Sequence, residues 1–259
     1  RQYYLQCLSH ASYLVGDRST GKAIVIDPQR DVDQYINDAT AEGLTILSVF
    51  ETHFHADFLS GHLELASKVG AEVVYGKSAE GRVDFPIRTM QHGEHFSLGE
   101  VDLEVLETPG HTPESVCIVV RPNGPTSTPH AVFTGDTLFN AGVGNCHNGG
   151  SPEALYQTIQ AQFHTLSDGV VVYPGHDYLE NNLRFTLHLE PSNAVASQWL
   201  DRIAGNDPGQ TQVVTTIGDE RSINAFFRLG SEEIRQNLAL DQATDEMTFL
   251  ALRKRRNDW

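Results

Sequence analysis

The chain has 259 residues, 39% of them hydrophobic and 20% charged, with a formal charge of −16 and a pI near 5.0. No apolar run approaches the ~18–20 residues that span a bilayer, and no basic face is evident for nucleic acid, which excludes both as partners. Three cysteines, Cys7, Cys117 and Cys146, with no CxxC pair, read as reduced thiols of a cytoplasmic protein and not as a disulfide framework.

In chain order, the opening RQYYLQCLSH shows none of the segments of a secretory signal. SYLVGDRSTGKAIVIDP reads as two strands about a Gly-containing turn. DVDQYINDATAEGL carries Val32, Tyr35, Ile36 and Ala39 at helical spacing and closes at Gly43. ILSVFET is a buried strand that delivers the chain into THFHADF, residues 52–58. SGHLELASKVG is a helix capped by Ser60 and ended by Gly70, and EVVYG is another strand. HGEHFSLGEVDLEVLETPGHT is a hairpin turning near Gly99, its second strand running into Gly110 and His111. VCIVV and HAVFTGD pair as strands ending at Asp136, PEALYQTIQAQFHTL is helical, and GVVVYPGHD is a strand ending at His176. Beyond Tyr178 the texture changes: LENNLRFTLHL, AVASQWLDRIAG, EEIRQNLAL and DEMTFLALRKRR are helical. The expected division is a metal-binding unit over 1–177 and a mainly helical extension over 178–259, packed on it.

His53, His55 and Asp57 alternate, so an extended segment would place them on one face. Three polar groups converging there are costly to bury unless something satisfies them, and a metal ion does. The bland reading is neighbouring histidines without a shared ion. It is weakened by a recurrence along the chain: His53, His111, Asp136 and His176 each come directly after a hydrophobic strand, where active sites are commonly built. Histidine and carboxylate donors without cysteine fit zinc, iron or manganese. His62, His92, His95, His164 and His188 read as structural or exposed.

THFHAD, TPGHT, FTGDTLF and YPGHDY resemble the successive metal motifs of the metallo-β-lactamase superfamily, over nearly the whole chain. The resemblance implies an α/β fold, a four-layer αββα sandwich with a helical C-terminal extension and the metal at one edge of the sheets. Two branches compete. In the glyoxalase II type, a dinuclear hydrolase of glutathione thioesters, His53, His55 and His111 would hold one metal. Asp57, a histidine at 58 and His176 would hold the other, with Asp136 bridging. Here residue 58 is Phe, which has no lone pair to offer. What remains, His53, His111 and Asp136, matches the iron ligands of the persulfide dioxygenase type, a facial triad with open positions for substrate and dioxygen. CLSHASYLVG, VIDPQRDVDQY, ETHFHADFLSGHLELA and TIGDERSIN resemble that type too.

The leading expectation is therefore a persulfide dioxygenase with one Fe(II) per chain, oxidising a small-thiol persulfide with dioxygen to sulfite and thiol. His55, Asp57 and His176 would tune the site. The alternative is a glyoxalase II-like thioester hydrolase, with zinc as the metal and His55 as a direct ligand; a non-catalytic metal-binding protein is the third reading. GHDYLENNLRFTLHLEPSN and FLALRKRRNDW resemble glyoxalase II, which implies that Tyr178, Arg253 and Arg256 contact a glutathione-type carrier. Against that stand the dipole-favoured cations of a helix end and a core role for Tyr178. Asn145 and His147 replace a lysine and a tyrosine of that type, and Cys146 reads as an inert thiol. The sequence leaves assembly open, a homodimer included.

Overall fold

The computed structural model describes residues 1–259. Its first sheet runs in the order β1 (Gln2–Leu5), β2 (His10–Asp17), β3 (Lys22–Ile26), β4 (Thr45–Phe50), β5 (Glu72–Gly76) and β6 (Arg88–Met90). The second is built from β7 (His95–Ser97), β8 (Asp102–Glu107), β9 (Val116–Arg121), β10 (Ala131–Gly135), β13 (Val171–Pro174) and β14 (Thr215–Thr216), in the order β14-β13-β10-β9-β8-β7. A short ribbon, β11 (Leu138–Phe139) and β12 (Gly142–Val143), follows β10. The helices are α1 (Asp33–Ala41), α2 (His62–Val69), α3 (Pro152–Thr158), α4 (Leu179–Leu189), α5 (Ala194–Ile203), α6 (Ile217–Ile223), α7 (Glu232–Asn237) and α8 (Asp245–Asn257).

Alternation along the strands sorts the side chains into layers. Ile24 and Ile26 of β3 meet Val116 and Ile118 of β9 and Phe133 of β10 in the core between the sheets. Ala23 and Val25 point the other way, against Val32, Tyr35 and Ala39 around α1 and Leu65 of α2. On the second sheet, Cys117, Val119 and Val132 turn outward against α3 and the C-terminal helices. The result is the αββα sandwich, each fully buried aliphatic contributing roughly 1.5–3 kcal/mol. The helices begin and end for local reasons. Ser60 Oγ accepts the N–H of His62 at 3.2 Å, although Gly61 is the residue flanking α2, and Gly70 closes it at φ 72°.

Residues 178–259 are not a separate ball of helices. β14 pairs with β13, and Ile217, Phe226, Phe249 and Leu252 share one apolar cluster with Val119, Val132 and Val172.

Topology places the donors together. β3 and β4 are parallel. β8 and β10 both run antiparallel to β9, and β13 is parallel to β10, so β8, β10 and β13 point one way. Asp27, His53, His111, Asp136 and His176 therefore all emerge from the C-terminal ends of strands, at one edge of the two sheets.

Candidate metal centre

Donor atoms of His53, His111 and Asp136 lie within 4.8 Å of one another. Their protons can be assigned from the neighbours. Thr52 Oγ1 has one hydrogen and donates it to Asp27 Oδ2 at 2.7 Å. Its 2.9 Å contact with His53 Nδ1 must then be donated by the histidine, which leaves the lone pair on Nε2. His111 Nδ1 donates to the Asn145 carbonyl at 2.7 Å, so its lone pair is also on Nε2, 3.6 Å from Asp136 Oδ2. Burial, with neighbouring His55 second, pushes His53 down to about 3 and keeps it neutral. Burial works against charge on Asp136, but His176, then His53 and His111, hold its carboxyl well below the usual range. Two imidazoles, each engaged in a hydrogen bond through Nδ1, and a carboxylate thus converge. That donor set fits a divalent cation.

The backbone around it is correspondingly tight. A side chain on Gly144 would put Cβ 1.9 Å from the Asp136 carbonyl oxygen and 3.1 Å from His111 Nδ1. Gly135, at φ 47°, lets the end of β10 pass Thr52.

His55 lies beside this cluster, its ring 4.2 Å from that of His53. Its Nε2 faces Asp27 Oδ1 and Glu51 Oε2, each at 3.2 Å, while Nδ1 is buried without a hydrogen-bond partner. Burial opposes charge on His55, but Asp27 and then Glu51 hold its pKa well above the ordinary value. A carboxylate pair behind one ring nitrogen with the other orphaned is the arrangement of a metal-binding histidine. Sequence reasoning missed Asp27 and Glu51, although both carboxylates sit at strand ends as the motif histidines do.

His176 is gripped on both sides: Nδ1 lies 2.9 Å from Asp136 Oδ1 and Nε2 2.8 Å from Asp57 Oδ2. Burial lowers its pKa, but Asp136 and Asp57 outweigh it and push it up to about 10. Its hydrogen bond in turn lowers Asp57, whose side chain is partly exposed at the rim. Phe58 packs on His10 and His55, ring centres 4.1 and 4.4 Å away. His10 lies at the start of β2 and was not anticipated; a search along strand ends passes over a strand's first residue.

At the mouth, Tyr178 is 36% exposed and stacks on His176 with ring centres 5.4 Å apart and planes 1° apart. Arg256 is half-buried and donates to Asn182 Oδ1 at 3.1 Å. Arg253 is placed differently from a free cation. It is buried, with Nη1 donating to the carbonyls of Val143 at 2.8 Å and Gly144 at 2.9 Å, so it holds the loop carrying Asn145. Lys254 and Arg255 are exposed at the helix end, where the dipole favours them. His147 is exposed, and Asn145 Oδ1 accepts its N–H at 3.1 Å. Cys146 is half-buried, and burial raises its thiol to about 11. No helix is long and apolar enough to cross a membrane.

Residues 5–176 match the metallo-beta-lactamase superfamily, and residues 177–259 match the hydroxyacylglutathione hydrolase C-terminus. The chain is 40% identical over 255 residues to a hydroxyacylglutathione hydrolase of Polaromonas sp. strain JS666, covering 96% of this chain and 94% of that one. Further relatives of that name range down to 30% identity over 255 residues. Among solved structures, a metallo-beta-lactamase from Staphylococcus aureus superposes with a TM-score of 0.71 at 29% identity, covering 98% of this chain and 70% of that chain. ETHE1 from Myxococcus xanthus gives 0.69 at 27% identity, covering 99% and 96%.

These relationships correct the leading expectation of a persulfide dioxygenase working through iron and dioxygen. That reading rested on Phe58 and on short motif likenesses, whereas relatives aligned along nearly the whole chain, and the match across 177–259, are hydroxyacylglutathione hydrolases. An absent lone pair at one position bears on ligand count; it does not choose between oxidation and hydrolysis.

Proposed function

The chain belongs to the metallo-β-lactamase superfamily, as an enzyme of that fold, and on that premise we propose that it hydrolyses a glutathione thioester of the hydroxyacylglutathione type to a hydroxy acid and free thiol. The observation that carries the reading is a converging His–His–carboxylate cluster in a chain related along nearly its full length to hydroxyacylglutathione hydrolases. Zinc is the proposed metal, held by His53, His111 and Asp136, with His55 joining through Nδ1. When bound, the ion supplies Lewis-acid polarisation of the thioester carbonyl and an acidified water.

The chain's own residues do the rest. Thr52 and the Asn145 carbonyl fix the tautomers of His53 and His111, and Asp27 with Glu51 anchors His55. Asp57 Oδ2, exposed at the rim and 2.8 Å from His176 Nε2, is placed to hold the proton that attacking water gives up. As the C–S bond breaks, the proton held by Asp57 would pass to the departing thiolate, which leaves as the free thiol. Residues 178–259 seat the carrier, with Arg256 meeting a carboxylate and Tyr178 lining its path; Arg253 acts through the loop it holds.

The test is metal analysis of the purified protein together with hydrolysis of lactoylglutathione. Zinc content with thioester cleavage that is lost on chelation and returns with zinc is the expected result. Zinc-loaded protein inert toward a panel of glutathione thioesters, or cleavage indifferent to chelation, would overturn it.

A further inference from the structure

The segment that carries His53 and His55 has left its sheet. β4 ends at Phe50, and Glu51 N–H still reaches the Val74 carbonyl at 3.0 Å. Beyond it, side-chain carboxylates take over. Thr52 N–H donates to Asp27 Oδ1 at 2.7 Å, and Phe54 N–H, between the two histidines, donates to Glu114 Oε1 at 3.1 Å. Glu114 belongs to the second sheet, on the loop that runs from His111 to β9. That loop is itself braced: Ser115 Oγ accepts the Thr112 N–H at 3.1 Å, and Gly110 N–H donates to the Thr112 carbonyl at 3.1 Å. Two residues after Glu114, Val116 N–H donates to the Thr52 carbonyl at 2.8 Å. Two hydrogen bonds therefore stitch the histidine pair of the first sheet to the loop that presents His111 from the second.

Glu114 is 3% exposed, and its second oxygen accepts from Arg82 Nη1 at 2.6 Å. Arg82 is exposed, and its guanidinium lies 4.8 Å from the centre of the Phe54 ring. Taking a carboxylate out of water is costly, and an ion pair at the surface does not require it. What the burial provides here is a fixed acceptor for the amide between His53 and His55. We propose that Glu114 is a positioning residue of the metal centre: through the Phe54 amide it sets where His53 and His55 stand relative to His111, and Arg82 closes its solvent side. Donor distances at a zinc ion are held to within about 0.2 Å, so a shift of the main chain at residue 54 is felt by both flanking imidazoles. The inference rests on the zinc reading of the site, and concerns how the donors are spaced before the ion arrives.

Two double variants of the full chain isolate that acceptor, because both remove the ion pair and only one removes the hydrogen bond. Arg82→Met with Glu114→Gln keeps an oxygen for the Phe54 amide; Arg82→Met with Glu114→Leu does not. In zinc titration under competition with a chelator, the Gln form should bind within about threefold of wild type and the Leu form about 10–100-fold more weakly. The visible absorption of the cobalt-loaded protein should match wild type in the Gln form and shift in the Leu form. Equal zinc affinity and equal cobalt spectra in the two forms overturn the proposal, even if the metal-free Leu form melts lower, since that is what a purely structural carboxylate does. A Gln form as impaired as the Leu form overturns it too. Hydrogen exchange of metal-free wild type needs no variant: the Phe54 amide should be protected, and exchange at the rate of a free peptide overturns the proposal. Zinc-loaded wild type that cleaves no thioester removes the proposed function while the affinity and cobalt comparisons still decide on Glu114; cleavage with the two forms binding zinc alike does the reverse.

Discussion

Two buried polar regions of this protein, the donor edge of the sandwich and the clamp beneath the C-terminal helices, treat their polar groups in opposite ways. At the clamp, Glu220 takes the Ala141 N–H at 3.0 Å and Asn224 Nδ2 at 2.7 Å, and Asn182 Nδ2 donates to the Asn140 carbonyl at 2.9 Å. Thr216 and Asp219 cap α6 reciprocally. At the donor edge, both nitrogens of His10 and Nδ1 of His55 have no partner. A buried polar group with its partner in place holds structure together. One left without a partner keeps a donor or acceptor free for a ligand. The TIGDERSIN stretch belongs to the clamp: Glu220 and Asn224 tie α6 to the β11–β12 ribbon. Its likeness to dioxygenases therefore concerns architecture and not chemistry.

The largest effect expected from breaking this contrast is at Asp136. Asp136→Ala removes the carboxylate facing both His111 and His176. Loss of a group that only orients a ligand costs about 10–100-fold in metal affinity, so loss of a direct donor exceeds that. Metal analysis should find little zinc and the thioester assay little turnover; zinc content equal to wild type would refute the assignment. Glu51→Gln comes next. Glu51 touches no substrate and acts through His55, so zinc affinity should fall about 10–100-fold while the fold, followed by circular dichroism, stays intact. Unchanged affinity would mean that His55 does not need its acid pair.

At the clamp the expected effect is on stability and its pH dependence. Burial raises the Glu220 carboxyl from 4.5 to about 7. Between those values the unfolded chain releases a proton that the folded chain keeps. The contribution is therefore fully present below about 4.5 and lost as pH rises to 7, of order 3 kcal/mol across the window. Melting temperatures from pH 5 to 8 should fall less steeply in Glu220→Gln than in wild type, and parallel profiles would count against a buried protonated Glu220.

Much of this was legible in the sequence. The long alternating strands and the amphipathic helices declare themselves by period, and THFHAD, PGHT, TGD and PGHD mark four strand ends that carry metal-capable residues. β1, β6, the β11–β12 ribbon and β14 carry two to four residues each, too few for a period to register. His10 was invisible for another reason: its place beside residue 58 is set by the antiparallel register of β2 on β3, in which Tyr13 pairs Ile26. No local motif encodes that. Arg253 and Arg256 show the same limit, being three residues apart on one helix, with one spent on backbone carbonyls and the other near the mouth.

That pair frames the smallest expected effect. Arg256 is half-buried with a single hydrogen bond, to Asn182, and lies close enough to Tyr178 to share its field, whereas Arg255 is exposed beside His188. If residues 178–259 seat a carboxylate-bearing carrier, Arg256→Ala should raise the KM for lactoylglutathione about fivefold to tenfold, near 1 kcal/mol. kcat should hardly move, because a carboxylate remote from the thioester is bound equally in ground and transition states. Arg255→Ala should change neither constant, since a solvated helix-end cation contributes through the dipole alone. Equal effects from the two substitutions would mean that the tail acts as a diffuse positive field, and Arg256 would then lose its assigned contact.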